Sequence, residues 1–104
     1  MEKRIEDWKD LRYGMFIHWG IYALYADHEQ VLARRNLDNA AYERRMAEFN
    51  PVRYDPEEWV KLAKDAGMRY ICFTAKHHDG FCMWDTRETA YNIMNTPYGR
   101  DVLK

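Results

Sequence analysis

Two apolar runs separated by a capped helix constrain this chain more than any other feature. Residues 13–19 (YGMFIHW) and 69–76 (RYICFTAK) are short, dense in β-branched and aromatic side chains, and closed by turn residues. Such runs read as buried strands. Between them, Asp55, Pro56 and Glu58 form a helix start: a capping carboxylate, a proline at the first helical position, and the acidic third residue of a capping box. Trp59, Leu62, Ala63 and Ala66 follow as an apolar stripe, and Gly67 stands where a left-handed C-terminal cap is expected. A strand, a helix and a second strand imply parallel pairing through a right-handed crossover. Parallel strands need cover on both faces, and this chain has too few helices to supply it. The expected fold class is α/β, a βαβ unit from the N-terminal portion of a TIM-like (β/α)8 barrel. At 104 residues the chain is far short of the roughly 250 that a whole barrel needs. Residues 1–104 are therefore expected to be a single, incomplete domain.

The rest of the chain reads less sharply. Residues 21–37 show no clear period and are expected to be a long connection. Residues 39–49 are expected to be helical, with Tyr42, Met46 and Phe49 on one face and Asn50 and Pro51 as the stop. Residues 77–85 are rich in turn formers, and Asp101 is expected to cap a helix starting at Val102. Cys72 lies within an apolar run and Cys82 follows a turn, a spacing that matches no zinc or redox motif, so both are expected to be buried or half-buried thiols.

Charge and length exclude several function classes. Sixteen basic and seventeen acidic residues give a net charge of -1, with no basic patch. That balance gives no electrostatic basis for nucleic acid or an anionic membrane. No run approaches the ~20 apolar residues of a membrane span. The charged start, residues 1–10, has no apolar region of a secretion signal, so a cytoplasmic location is expected.

The chemistry gathers at the strand ends. In α/β barrels, side chains at the C-terminal ends of strands build the active site. His18 closes the first strand, and His77 and His78 follow the second, so three of the four histidines are expected to converge. A metal site is one reading of this group, with Asp79 as an added carboxylate. Adjacent His77 and His78 diverge from extended backbone, however, and HxH or HExxH spacing is absent, so no metal is expected. The other reading is hydrogen bonding to a polyhydroxylated ligand, since each imidazole can donate and accept. Trp19 and Trp84 offer flat apolar faces suited to the C–H face of a sugar. Lys76 could serve as a Schiff-base nucleophile; pairing with a carboxylate is the reading preferred here. No phosphate loop or Ser-His-Asp order is present, and no cofactor is expected.

The segments MFIHWGIYAL, FNPVRYDPEEWVKLAKDAGMRYICFTAKHHDGFCMWDT and NTPYGRDVL resemble the N-terminal third of the α-L-fucosidases of glycoside hydrolase family 29. The resemblance runs from about Trp8 to Lys104, and its core is an HWG motif upstream of KHHDGF-x-x-W. It implies a TIM-like barrel and retaining hydrolysis of α-L-fucosides from a fucosylated oligosaccharide or glycoconjugate. It implies that His18, His77 and His78 bind fucose hydroxyls and that Trp84 walls the pocket. It implies a sugar-contacting or acid–base-assisting role for Glu29, which otherwise reads as a solvated loop residue. Many family members carry Trp after that acidic residue, where this chain has Gln30. The resemblance makes Asp79 structural, a partner of loop amides. It places the nucleophilic aspartate and the acid/base glutamate beyond this region, so neither Asp79 nor Asp85 is assigned as nucleophile. The expected activity of these residues alone is none. The competing readings are a non-catalytic carbohydrate-binding or assembly fragment and a metal-dependent hydrolase on the same barrel. Self-association of the incomplete barrel is the remaining expected interaction.

Overall fold

The computed structural model describes residues 2–104. They form two compact units. One comprises the chain up to Ile17 together with Arg53–Phe73, and the other comprises His18–Val52 and Thr74–Lys104.

The first unit holds the regular elements. Strands β1 (Gly14–Ile17) and β2 (Tyr70–Phe73) pair in parallel, with Gly14 opposite Tyr70 and Ile17 opposite Phe73. The close approach at the start of the ladder requires glycine, because a Cβ at position 14 would run into the Tyr70 ring. Helix α4 (Pro56–Asp65) connects them in the βαβ order expected. Asp55 Oδ1 accepts from the Glu58 N–H at 3.2 Å, and Pro56 opens the first turn. The end is a Schellman motif: Met68 N donates to Ala63 O (2.9 Å) and Gly67 N to Lys64 O (3.0 Å), with Gly67 at φ +84°. A helix that the charged start of the sequence did not suggest, α1 (Lys3–Leu11), precedes β1 and buries no residue. A Lys3–Asp7 pair (2.8 Å) joins successive turns on its exposed face.

Burial in this unit departs from expectation. Phe16 is 63% exposed and Leu62 62%, and Ile71 and Cys72 are exposed as well. Of the stripe read on α4, only Ala63 is buried and Trp59 is half-buried, against Tyr54 at 5.1 Å. Two strands and two helices have too little surface to cover both faces of a parallel pair. The expected burial of Cys72 fails for that reason, while Cys82, in the other unit, is buried.

The second unit is irregular yet better packed. Residues 21–37 are no open connection: a 3-10 turn at Ile21–Tyr25 and helix α2 (Val31–Arg34) bury Ile21, Tyr22 and Val31. Helix α3 (Asn39–Arg44) is capped by Asp38, which accepts from Ala41 N at 2.8 Å, and tightens into a 3-10 turn at Arg45–Glu48. The face read from sequence survives the change, with Tyr42 and Phe49 buried and Met46 half-buried. Trp19, Phe49, Phe81 and Tyr91 form a chain of ring contacts at 5.8, 5.6 and 5.2 Å. Phe81, Met83 and Ile93 complete the core with Ile21, Val31 and Tyr42. Asp101 does not start a helix. Its carboxylate accepts from Leu103 N (2.8 Å) and Asp85 N (3.0 Å) and shapes a turn. No helix among the described residues is long and apolar enough to cross a membrane.

Candidate active site

β1 ends at Ile17, and His18 is the next residue; β2 ends at Phe73, three residues before Lys76. The segments that follow are tied together by Thr74. Its hydroxyl oxygen accepts from Trp19 N (3.2 Å) and lies 3.5 Å from the Tyr22 hydroxyl. That tie brings the expected histidines into one cluster. The His18 and His77 rings are 5.4 Å apart and the His77 and His78 rings 4.5 Å apart. The edge of Tyr22 backs His77 at 6.2 Å. Glu29 joins them: one polar side-chain atom from each of His18, Glu29 and His77 lies within 4.8 Å of the others. Beside this trio a pocket of about 410 Å³ is lined by Glu29, Gln30, Leu32, Ala33, His78 and Asp79. Glu29 is common to both.

The hydrogen bonds assign chemical roles. His78 N donates to His77 Nδ1 at 2.8 Å, so that nitrogen carries a lone pair. Burial, followed by the neighbouring His78, pushes the His77 pKa below its ordinary value, which keeps the ring neutral. A neutral ring with Nδ1 as acceptor has its proton on Nε2. His77 therefore offers an N–H. His18, Glu29 and His77 are a donor set a divalent transition ion can use, but a ring in this tautomer presents no free lone pair to a metal. Glu29 is the complementary acceptor. Its own backbone N–H holds the carboxyl below the usual range, aided by His18, His77 and His28 and opposed by partial burial. The site so pairs an acceptor carboxylate with imidazole donors, the combination that vicinal hydroxyls match.

Asp79 is structural, as the resemblance implies. Its Oδ1 accepts from Phe81 N (3.1 Å) and its Oδ2 from the Tyr42 hydroxyl (2.5 Å). Trp84 is half-buried and outside the pocket lining, and Trp19, half-buried and likewise outside that lining, packs on Phe49. Lys76 is exposed and donates to the His77 carbonyl at 3.4 Å; among the described residues it forms no ion pair, so the carboxylate partner read for it is absent. Asp85 is exposed. Sequence reasoning gave no site role to Tyr22, Thr74 or Leu32, and took Tyr42 only as part of an apolar helix face. Thr74 lay inside the run read as a strand, and it stands past the strand only because β2 ends at Phe73.

The family model for alpha-L-fucosidase matches residues 1–104. The chain belongs to the α-L-fucosidase family. Alpha-L-fucosidase 1 of Arabidopsis thaliana is 33% identical over 85 residues, covering 82% of this chain and 15% of that protein. Among solved structures, α-L-fucosidase isoenzyme 1 of Paenibacillus thiaminolyticus superimposes with a TM-score of 0.92 at 48% identity, over 97% of this chain and 24% of that one. The Lactobacillus casei α-L-fucosidase in complex with its α-L-fucose product gives a TM-score of 0.90 at 36% identity, over 98% of this chain and 35% of that one. The chain thus spans about a third or less of the length of these fucosidases. The family gives the parallel pair its context: α/β, the N-terminal portion of a TIM-like catalytic barrel.

Proposed function

We propose that the cluster holds the fucose ring of an α-L-fucoside, and that these residues serve a retaining α-L-fucosidase acting on fucosylated glycans. The observation that carries the reading is the convergence of His18, Glu29 and His77 within 4.8 Å, with His77 as an N–H donor. His18, His77 and His78 orient hydroxyls, and Glu29 accepts from one. A carboxyl held below its usual range is a poor proton donor at neutral pH, so Glu29 contributes binding more than acid catalysis. The wall role implied for Trp84 has no contact behind it here, and the proposal rests on the other four. Family membership and the hydroxyl-matched donor set favour this over the carbohydrate-binding and metal-dependent alternatives.

Retaining hydrolysis needs a nucleophile and an acid/base carboxyl about 5–5.5 Å apart. Both Asp79 oxygens are used to hold its turn and the Tyr42 hydroxyl, and the His18–Glu29–His77 group contains no second carboxyl. The proposed contribution of these 104 residues is therefore recognition and orientation, without the covalent step.

The test grafts this segment onto the Paenibacillus enzyme in place of its counterpart and measures hydrolysis of an aryl α-L-fucoside. The expected graft is active and loses about 100-fold in kcat/KM with His77→Ala, on the scale of losing an orienting contact in a sugar site. The 104 residues alone are expected to show no turnover above a His18→Ala, His77→Ala control. An active graft indifferent to His77→Ala would sink the binding role, and turnover by the 104 residues alone would overturn the assignment of the covalent step elsewhere.

A further inference from the structure

We propose that Tyr42 is a positioning residue for the site: through Asp79, its hydroxyl holds the turn after the histidine pair in the form that presents the N–H of His77. The consequence for sugar affinity rests on the fucoside reading; the consequence for the turn does not.

Tyr42 has no exposed surface, yet its hydroxyl is aimed at Asp79 Oδ2, 2.5 Å away and 37 positions on in the chain. A charge-assisted hydrogen bond of this length is among the strong ones. The other oxygen of the same carboxylate accepts from Phe81 N (3.1 Å), and Gly80 N donates to His77 O (3.0 Å). Asp79 thus closes the turn from within, and Tyr42 fixes Asp79 from outside it. Gly80 sits at φ +79°, so the turn is specialised backbone; the Lys76–Cys82 bridge and Met83 N donating to Ala75 O (2.9 Å) join its two ends, while the Asp79 side chain ties its tip. The turn sets the direction of the His78 amide, and that amide fixes the His77 tautomer at 2.8 Å. Asp79 and His78 also line the pocket.

The support behind Tyr42 is stiff. Tyr25 stacks on its ring at 5.3 Å and 6°, and the Arg45 guanidinium lies 4.3 Å from the Tyr25 ring centroid. Glu48 holds Arg45 at 2.7 Å. Stacking and cation–π contact need only the rings. The hydroxyl is the separable part. A plain core aromatic would tolerate Phe at this position, whereas a positioning residue would not.

The experiment uses the 13C,15N-labelled chain and Tyr42→Phe, which keeps the ring and its stacking. Wild type is expected to show His77 protonated on Nε2 in its imidazole nitrogen shifts, with a protected Phe81 amide. Tyr42→Phe should give a mixed His77 tautomer, speed Phe81 amide exchange about tenfold, and weaken L-fucose binding by a similar factor. Asp79→Asn should reproduce these effects, and the double variant should be no worse than the more severe single one, as expected for two residues acting as a unit. An unchanged His77 tautomer and Phe81 exchange in Tyr42→Phe would overturn the proposal. Should that variant not fold, wild type decides alone: a slowly exchanging Tyr42 hydroxyl proton coupled to the Asp79 carboxylate carbon is required, and its absence overturns the proposal. Wild type that binds no fucose, with the tautomer and exchange effects present, supports the positioning role and sinks the fucoside reading.

Discussion

The two units of this chain solve the problem of backbone hydrogen bonding in opposite ways. In the first, β1, β2, α1 and α4 satisfy their backbone groups through ladders and helical bonds, and very little side-chain area is buried. In the second, elements are short and mostly turns, so side chains supply the partners. Asn92 accepts from Met94 N and donates to Thr89 O, Thr96 donates to Ile93 O, and Asp79 and Thr74 tie distant segments. That unit holds nearly all of the buried apolar residues and every member of the candidate site. Regularity and burial are therefore separate properties. A site needing precise side-chain placement sits in the unit where polar side chains already fix the backbone.

The largest expected effect tests that contrast directly. Phe81→Ala, at 2% exposure, should destabilise by about 3–5 kcal/mol in urea unfolding, while Phe16→Ala, at 63% exposure, should cost less than ~1 kcal/mol. Equal costs would break the contrast. The two faces of the strand pair should instead report on association, Phe16 being exposed on one and Ile71 on the other: the chain is expected to self-associate, and Phe16→Ser with Ile71→Thr should reduce its sedimentation coefficient. A monodisperse wild-type monomer would remove the association claim.

The contrast should sharpen with pH, because the shifted groups named here all belong to the second unit. Burial, then the bond to Asp79, raises the Tyr42 pKa above its ordinary 10. The stability linked to that shift is fully present below pH 10 and is lost as pH rises toward the folded-state value. His77 is shifted the other way, so its contribution is present above the ordinary value of 6.5 and is lost as pH falls toward the lower folded-state value. Melting curves should decline on both flanks, with the alkaline decline reduced in Tyr42→Phe and the acid decline reduced in His77→Gln. Flanks unchanged in both variants would remove the assignment.

The smallest effect concerns Tyr91, whose buried hydroxyl has no partner among the described residues. Tyr91→Phe removes a polar atom that is costly to bury alone, so stability should stay level or rise by up to ~1 kcal/mol. A loss above ~1 kcal/mol in the same unfolding assay would show that the hydroxyl is satisfied in solution.

The ends of α4, the parallel pair and the family were legible in the residues alone. Asp55, Pro56 and Gly67 act within a few residues of where they stand, so their effect is readable locally. The histidine motif was likewise legible, because chain order alone places His18 and His77 past strand ends. Helix α1 was not, since a charged segment with one exposed face has no strong apolar period to read. Nor was the split of residues 39–49 into α3 and a 3-10 turn, a change of one hydrogen-bond register that leaves the apolar face in place. Burial of β1 and β2 was misread because an apolar run shows what a strand can bury, while cover depends on what lies against it. That Glu29 meets His18 and His77, that Asp79 answers to Tyr42, and that His77 carries its proton on Nε2 emerged only with packing. Each depends on the direction of a side chain across tens of residues, and residue order does not encode that direction until the chain has packed.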